Sequence, residues 1–358
     1  MSIDPIALGN SESARIRSEY EGSLSWRITR PLRVARSAIR RSGTGAPAHP
    51  APSRVPFEGL DSWLQNVYGE RLAAIDEACA QGSGPERFAL FRELDDDVWS
   101  LLLTTQYEGY PNIRALLPGA PEPQLQEMWN GLSGIALARQ SRTFYARLRE
   151  SYAQHGPRPL GDSTVLDFGC GWGRLTRMFA RDVAPGALYG CDPAQTILDV
   201  CTQLRVPATL ARSEFVPERL PFERRFDLAY AFSVFTHLSE RSHRACLTAL
   251  HDALEPGGIL VVTIRPPAFI YANELIAPAR EHLRRDPELL SRASYLFVPH
   301  MAIEQHPQYS AGGEMDYGET IVTLTYVREH WTELFELLHV RIQLEDPHQL
   351  MLTLRRPA

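Results

Sequence analysis

The sequence predicts an α/β fold for the C-terminal part of the chain and a helical region before it. The short apolar run at 165–168 has the composition of a fully buried parallel strand. Gly169, Gly171 and Gly173 follow it at alternate positions, and apolar residues then return at helical spacing. A strand, a glycine turn and a helix in this order indicate the start of an α/β unit.

Alternating strands and helices continue toward the C-terminus. Strands are predicted at 187–192, 206–210, 259–264 and 321–326, and the stretch 226–238 is predicted to hold a further strand and the loop after it. Helices are predicted at 195–204, 240–254 and 328–338. Ser239 is a suitable N-cap for the helix at 240–254, and Pro256-Gly-Gly ends that helix. Two last strands, at 339–344 and 349–354, form a hairpin around Asp346-Pro347.

The glycine spacing differs from the dinucleotide-binding fingerprint Gly-x-Gly-x-x-Gly, because Arg174 stands where the third glycine would fall. The carboxylate of Asp167 would repel a pyrophosphate but suits the ammonium group of an amino-acid moiety. The run Asp167-Phe-Gly-Cys-Gly-Trp-Gly173 resembles the first motif of the class I S-adenosylmethionine-dependent methyltransferases. The resemblance covers roughly residues 162–355 apart from an insertion. It implies a Rossmann-like seven-stranded methyltransferase sheet with helices on both faces.

The resemblance also implies S-adenosyl-L-methionine as the cofactor. Asp192 lies 25 positions after Asp167, at the end of the second predicted strand, where a carboxylate would bind the ribose hydroxyls. A helix N-cap is the alternative role for Asp192. The cofactor-binding residues predicted in this way are Asp167, Gly169, Cys170, Gly171, Gly173, Asp192, Pro193, Phe232 and Ser233.

A hydroxyl acceptor must lose its proton during methyl transfer, so the site needs a general base. The chain contains no lysine, and His237, just past the fourth strand, is the leading candidate because histidine titrates near neutral pH. The alternative is that His237 only supports its loop. His300 and His306, in the insertion, are weaker alternatives for the base.

Several acceptor classes are disfavoured by the sequence. The loop at 231–234 lacks the Asn/Asp-Pro-Pro-Tyr/Phe motif of amino-directed nucleic-acid methyltransferases, and the net charge of −6 disfavours a nucleic-acid partner. We therefore expect O-methylation of a sugar, a glycan or another small-molecule hydroxyl. The alternatives are a natural-product O- or N-methyltransferase and a degenerate cofactor-binding regulator or scaffold.

Three regions are predicted along the chain: a basic flexible segment at 1–55, a helical accessory region at 56–155 and a methyltransferase domain at 156–358. The first segment carries nine arginines against four acidic residues, a difference of +5. Its stretch Ser23-Leu-Ser-Trp-Arg-Ile-Thr-Arg-Pro-Leu-Arg33 resembles a segment of bacterial cell-surface polysaccharide enzymes. It suits contact with an anionic membrane surface or with a glycosyltransferase, and a disordered solvated tail is the alternative.

The insertion at 265–326 is too long for an ordinary connection, and part of it is expected to contact the acceptor. Its candidate residues are Tyr271, Tyr295, Phe297, His300, His306, Tyr309, Asp316 and Tyr317. Half of these residues are expected to form the small core of the insertion itself.

Composition gives the remaining expectations. Without an apolar run of the ~20 residues that span a bilayer, and without the apolar block of a signal peptide, we expect a cytoplasmic protein, peripheral to the inner membrane face if the basic segment binds there. The five cysteines show no Cys-x-x-Cys spacing, so they are predicted to be reduced and buried. No metal site is expected, since the aspartates at 95–97 are typical of a charged helix face.

Overall fold

The computed structural model describes residues 60–81, 84–105, 107–272, 295–299, 310–311, 314–343 and 346–358, with the single positions Ile276, Arg280, Glu281, Arg285 and Glu288. The predicted basic segment at 1–55 lies outside the described residues, and so do His300, His306 and Tyr309. The expectations for these residues stay predictions, as do the domain boundaries predicted near 55 and 155.

The described helices and strands are as follows. The α-helices are α1 (Leu60–Ala80), α2 (Asp96–Thr104), α3 (Pro111–Leu116), α4 (Pro123–Asn130), α5 (Gly134–His155), α6 (Gln195–Gln203), α7 (Glu240–Ala253) and α8 (Leu324–His330). Short 3₁₀ helices lie at Pro85–Phe91, Leu160–Asp162, Thr176–Arg181 and Pro267–Tyr271. The strands are β1 (Val165–Phe168), β2 (Leu188–Asp192), β3 (Thr209–Arg212), β4 (Phe226–Ala231), β5 (Leu254–Ile264), β6 (Tyr295–Pro299), β7 (Ser310–Ala311), β8 (Glu314–Met315), β9 (Gly318–Val322), β10 (Glu336–Ile342) and β11 (Leu350–Arg355).

The chain divides into two compact units. The smaller unit contains α1 and α3, which are joined by Asp76: its carboxylate accepts hydrogen bonds from Asn112 Nδ2 and Ile113 N, each at 2.8 Å. The larger unit contains residues 84–105 and 117–358. All of the structure discussed below belongs to the larger unit.

A seven-stranded sheet with the order β10-β11-β5-β4-β1-β2-β3 forms the centre of the larger unit. The strands β5, β4, β1, β2 and β3 run parallel to one another, whereas β11 is antiparallel to both of its neighbours. This is the Rossmann-like methyltransferase sheet, so the predicted fold class is confirmed. Because parallel strands share a direction, the carboxyl ends of β1, β2 and β4 meet at one edge of the sheet.

Helices cover both faces of this sheet. Successive side chains of a strand point to opposite faces, so one strand can contact helices on both. On one face Leu260 and Val262 of β5 pack with Leu247 of α7 and Val327 of α8 in a continuous core. On the other face, Ser151 of α5 and Thr353 of β11 join their hydroxyl groups at 2.6 Å. Tyr230 of β4 packs there against Phe144 of α5, with ring centroids 6.2 Å apart.

The three aspartates at 95–97 serve the first helix of the larger unit. Asp95 caps α2 by accepting a hydrogen bond from Asp97 N at 2.8 Å. Asp96 forms ion pairs with Arg149 and the buried Arg181, and Asp97 pairs with Arg142 at 2.9 Å. Each of these carboxylates therefore has a helix-capping or ion-pairing role.

The helix predicted after the glycine turn is instead a short 3₁₀ helix at Thr176–Arg181. The guanidinium of Arg177 donates to the carbonyl oxygens of Trp172 (3.0 Å) and Gly173 (2.9 Å), and the backbone N–H of Arg177 also donates to Gly173 O at 3.1 Å.

The last helix lies earlier in the chain than predicted. Thr323 accepts a hydrogen bond from Tyr326 N, so α8 begins at Leu324, and pairing with β11 draws residues from Glu336 onward into β10. The strand predicted at 321–326 correspondingly ends at Val322, as β9.

Three general features complete the fold. The five cysteines, all of which are described, are buried and form no disulfide, as predicted. None of the described helices is long and apolar enough to cross a membrane. Within the described ranges, no group of His, Cys, Asp and Glu side chains could hold a metal ion.

Candidate functional site

A cavity of about 480 Å³ opens at the carboxyl edge of the sheet. The glycine turn after β1, the end of β2 and the loop after β4 form one side of the cavity. The turn between β10 and β11 contributes Asp346, His348 and Gln349 from the opposite side. The volume of the cavity lies within the ~300–1,000 Å³ range of small-molecule sites in proteins.

The glycine turn lets the backbone itself line the cavity. Gly169, Gly171 and Gly173 have φ values of +74°, +54° and +74°, which L side chains rarely adopt. A Cβ atom added at Gly169 would lie 2.4 Å from Val234 Cγ2, whereas one added at Gly171 would meet no atom within 4 Å. A side chain at Gly171 would therefore extend into space that a ligand can use.

Asp167 is buried at the floor of the cavity. Its Oδ2 accepts a hydrogen bond of 2.6 Å from Thr176 Oγ1. Burial raises the pKa of Asp167 to about 7, against the opposing effects of the Thr176 hydrogen bond and the charge of Arg174. A ligand that brings a positive charge here would restore the ionised carboxylate.

Asp192 shapes the turn into α6 and also lines the cavity. Its Oδ1 accepts from Ala194 N at 2.9 Å and its Oδ2 accepts from Gly171 N at 3.0 Å. Burial raises the pKa of Asp192 to about 6, and these two backbone hydrogen bonds limit the rise. Each carboxylate oxygen keeps a lone pair for a ligand hydroxyl, because one backbone bond uses only one of two. The turn-forming and ligand-binding roles are thus compatible.

Two neighbours of the glycine turn fix its position. Cys170 lines the cavity, and Cys201 Sγ donates to Gly171 O at 3.0 Å. Trp172 is pinned by a 2.8 Å hydrogen bond from its Nε1 to Asn130 Oδ1, at the end of α4. These contacts hold the peptide of Gly171 at the cavity wall.

The loop after β4 places Phe232 and Ser233 in the cavity wall. Ser233 has a φ of +60°, an uncommon backbone conformation for a non-glycine residue that often marks a functional site. Its N–H donates to Thr263 Oγ1 at 2.8 Å, which holds the loop against β5. Phe232 packs edge-on against Phe144, with 4.7 Å between ring centroids.

His237 also lines the cavity, and its hydrogen bonds fix its protonation. The carbonyl of Gly318, 2.8 Å from Nδ1, can only accept, so Nδ1 carries the proton. Arg265 Nη2, 3.2 Å from Nε2, can only donate, so Nε2 carries the lone pair. The ring also stacks on Tyr317 at 5.1 Å. Because the lone pair already accepts from a guanidinium, the geometry favours loop support over base chemistry for His237.

The cavity residues that were not among the predicted site residues include Gln140, Arg174, Arg265, Asp346 and Gln349. The sequence offered little signal for them. Arg174 was notable only for breaking a glycine fingerprint, and Asp346 only for its place in a predicted turn. Their convergence depends on packing between distant elements.

The side chain of Asp346 is held by two amides. Gln140 Nε2 and Gln349 Nε2 donate to Oδ2 at 2.9 and 3.1 Å. The hydrogen bonds that this carboxylate accepts from described side chains both reach Oδ2. Burial raises the pKa of Asp346, while the Gln140 hydrogen bond and the charges of His348 and Arg265 oppose the rise.

The insertion contributes less to the cavity than its composition suggested. Tyr317 lines the cavity, but Tyr271 is 77% exposed and the hydroxyl of Tyr295 donates to Leu238 O. Asp316 is buried and pairs with Arg241. Among the described residues of the insertion, Phe269, Ile270, Ile276 and Ile321 form a separate small core.

Comparison with known proteins agrees with this architecture. Residues 165–258 match the family model described as a methyltransferase domain. A ubiquinone biosynthesis O-methyltransferase from Methylobacterium sp. (strain 4-46) is 31% identical over 127 residues, which cover 32% of this chain and 48% of that protein. The chain thus spans about half the length of this curated relative.

Similar solved structures include the N-methyltransferase NodS from Bradyrhizobium japonicum WM9 in complex with S-adenosyl-L-homocysteine. It is 16% identical, with a TM-score of 0.39, over 62% of this chain and 88% of NodS. The magnesium protoporphyrin IX methyltransferase from Synechocystis PCC 6803 is 11% identical, with a TM-score of 0.41, over 84% of this chain and 100% of that protein.

Proposed function

We propose that this protein is an S-adenosylmethionine-dependent methyltransferase that binds its cofactor in the cavity at the carboxyl edge of the sheet. The observation that carries the proposal is the open space at Gly171 beside the carboxylate of Asp192, within a segment that matches a methyltransferase domain. The residues proposed to bind the cofactor are Asp167, Gly169, Cys170, Gly171, Gly173, Asp192, Pro193, Phe232 and Ser233.

The cavity fits the chemistry of this cofactor. Asp192 offers one remaining lone pair on each oxygen, which suits a ribose diol. Asp167 offers a buried carboxylate for an ammonium group. The aromatic ring of Phe232 and the backbone of Gly171 give apolar and flat surfaces between these two acids.

When bound, the cofactor supplies an electrophilic methyl group on a positively charged sulfur. The task of the protein is then to align the acceptor with that methyl group and to exclude water. Apolar side chains suited to excluding water line the cavity; they are Trp129, Leu175, Phe215, Phe232, Val234, Leu238 and Phe269.

We further propose a hydroxyl acceptor, on a small molecule or a glycan. Two observations support a hydroxyl group: the O-methyltransferase name of the curated relative, and the carboxylate of Asp346 in the cavity. A sugar acceptor is favoured by the arginine-rich stretch at 23–33, which resembles segments of polysaccharide enzymes. The same segment is the proposed contact with a membrane surface or a glycosyltransferase.

For the general base, the geometry favours Asp346 over His237. Oδ1 of Asp346 would take up the proton of the acceptor hydroxyl, while the amides of Gln140 and Gln349 hold Oδ2. His237 would instead hold the loop after β4 through Gly318 and Arg265.

Methyl transfer from tritiated S-adenosylmethionine to a panel of phenolic, sugar and amine acceptors tests this function. We expect transfer to hydroxyl acceptors, and a fall in turnover of about 10²-fold in Asp346→Asn, because general-base catalysis is worth ~10²–10⁴-fold. The affinity for S-adenosylhomocysteine should not change in this variant. Asp252→Asn, which changes an exposed carboxylate, is the matched control.

Three results would contradict parts of this proposal. Transfer to amines alone would remove the hydroxyl acceptor. Unchanged turnover in Asp346→Asn would remove the base. A chain that binds neither S-adenosylmethionine nor S-adenosylhomocysteine would be a degenerate domain.

A further inference from the structure

Arg174 is a buried cation that forms no ion pair within 4 Å among the described residues, although the carboxylates of Asp167 and Asp346 act on it at longer range. It is 5% exposed and lies in the wall of the cavity, one residue after the last glycine of the turn. Its guanidinium makes one hydrogen bond to the described part of the chain, from Nη1 to Ser141 Oγ at 2.7 Å. It also lies over the ring of Phe232, 5.0 Å from the centroid.

The other buried guanidinium groups of this unit have fuller sets of partners. Arg181 pairs with Asp96, and Arg265 pairs with Glu319. Arg177 donates to four carbonyl oxygens, those of Leu103, Gly119, Trp172 and Gly173. An arginine carries five N–H donors, so Arg174 keeps most of its donors for a group that is not part of the described chain.

A buried charge without a partner is costly, and proteins keep such a charge mainly where a ligand or a counter-ion meets it. Burial lowers the pKa of Arg174 to about 10, and the nearby carboxylates of Asp167 and Asp346 oppose that effect. The side chain therefore remains protonated at neutral pH. A guanidinium with free donors is suited to bind a carboxylate through two parallel hydrogen bonds.

We infer that Arg174 binds the carboxylate of the amino-acid end of the cofactor, while Asp167 faces the ammonium group of the same end. The inference rests on the proposed function. It is supported by the position of both side chains in one cavity, by their mutual electrostatic effect and by the lack of an ion pair within 4 Å of Arg174 among the described residues. The guanidinium and the carboxylate would bind the two opposite charges of the amino-acid end and so fix the position of the cofactor along the glycine turn.

Calorimetric titration with three ligands tests the inference. S-adenosylhomocysteine carries the amino-acid end, its decarboxylated analogue lacks only the carboxylate, and methylthioadenosine lacks the whole amino-acid end. We expect the unchanged protein to bind S-adenosylhomocysteine at least about tenfold more tightly than the decarboxylated analogue, because a hydrogen-bonded charge is lost.

The variant Arg174→Gln should lose this preference, through weaker binding of S-adenosylhomocysteine alone. Its affinity for methylthioadenosine should stay within about twofold of the unchanged protein, which also shows that the variant folds. The matched control is Arg225→Gln, which removes an exposed arginine just before β4. It should leave all three affinities unchanged.

Several outcomes would overturn the inference. The first is equal binding of S-adenosylhomocysteine and its decarboxylated analogue by the unchanged protein. The second is a preference that survives in Arg174→Gln, which would leave the guanidinium for an anionic acceptor. The third is an equal loss for all three ligands in a variant that melts cooperatively.

Two further outcomes are separable from these. If Arg174→Gln does not fold, Arg174→Lys keeps the charge, and a preference as large as in the unchanged protein would contradict bidentate binding. If the unchanged protein binds methylthioadenosine and S-adenosylhomocysteine, the proposed cofactor stands whatever the fate of Arg174. If it binds none of the three ligands, the proposed function fails and this inference fails with it.

Discussion

At the scale of single residues, we expect Asp167 and Asp192 to couple ligand binding to protonation. Burial raises the pKa values of these carboxyl groups to about 7 and about 6. Both values lie above the ~3.9 of an aspartate in an unfolded chain, so ionisation costs the ligand-free fold more than the unfolded chain. Stability from these groups is therefore lost as the pH rises from about 4 through 6 and 7.

Cofactor binding should reverse that cost. Ribose hydroxyls and an ammonium group favour the ionised carboxylates, so binding should release protons. We expect the affinity for S-adenosylhomocysteine to rise by about tenfold between pH 5.5 and 7.5 and then to level off, because one pKa unit corresponds to a tenfold effect. Titration in buffers of different ionisation enthalpy measures the released protons.

The variant Asp192→Asn serves as the control for this pH dependence, since an amide does not titrate. It should lower both the affinity at pH 7.5 and the number of protons released. Affinity that is independent of pH, with no proton release, would contradict the assignment of the two carboxylates to the ligand.

Sequence reasoning located the cavity residues that directly follow or end a strand. The glycines and Asp167 follow one strand directly, and Asp192 ends the next, so spacing alone placed them at one edge of the sheet. Arg174 and Asp346 could not be found in this way. Arg174 contacts Ser141 and Phe232, and Asp346 contacts Gln140. These contacts join segments that are distant in sequence.

Arg177 ties several elements to the glycine turn. Its guanidinium donates to Leu103 O at the end of α2 and to Gly119 O between α3 and α4. It also donates to Trp172 O and Gly173 O of the turn itself. Burial lowers the pKa of Arg177 to about 10, which leaves it charged at neutral pH. One side chain thus links the glycine turn to the end of α2 and to Gly119.

We expect Arg177→Gln to lower the free energy of unfolding by about 3 kcal/mol, because buried carbonyl groups would lose charged donors. Urea denaturation followed by circular dichroism measures this loss. The matched control is Arg225→Gln at an exposed position, which should change the free energy of unfolding by less than about 0.5 kcal/mol. Equal effects of the two substitutions would contradict the role of Arg177 as a tie between elements.

Elements with a strong hydrophobic period were predicted well. The cores of β1, β2, β4 and β5, the helices α6 and α7 and the closing hairpin all lie within a few residues of their predicted positions. The errors fall where side-chain contacts override local pattern. The segment after the glycine turn is a 3₁₀ helix, and the N-cap at Thr323 and the pairing with β11 place α8 and β10 earlier in the chain than predicted.

At the scale of the whole molecule, the chain contains no lysine, so arginine is the long basic side chain that stabilises the larger unit. All 37 basic residues are arginines, and buried guanidinium groups join elements that lie far apart in sequence. Arginine is well suited to this use because its planar group offers several donors and stays charged when buried. Arg174 has the same chemistry but is left with donors toward the cavity.

The central claim is that the cavity beside the glycine turn binds S-adenosylmethionine. Its most direct test is calorimetric titration of S-adenosylhomocysteine into the unchanged protein and into Gly171→Val, with the melting temperature of each as the control for folding. We predict micromolar binding by the unchanged protein and a loss of at least about tenfold in the variant, because the new side chain would fill the space of the ligand. Equal affinity in both proteins, or no binding by the unchanged protein, would contradict the claim.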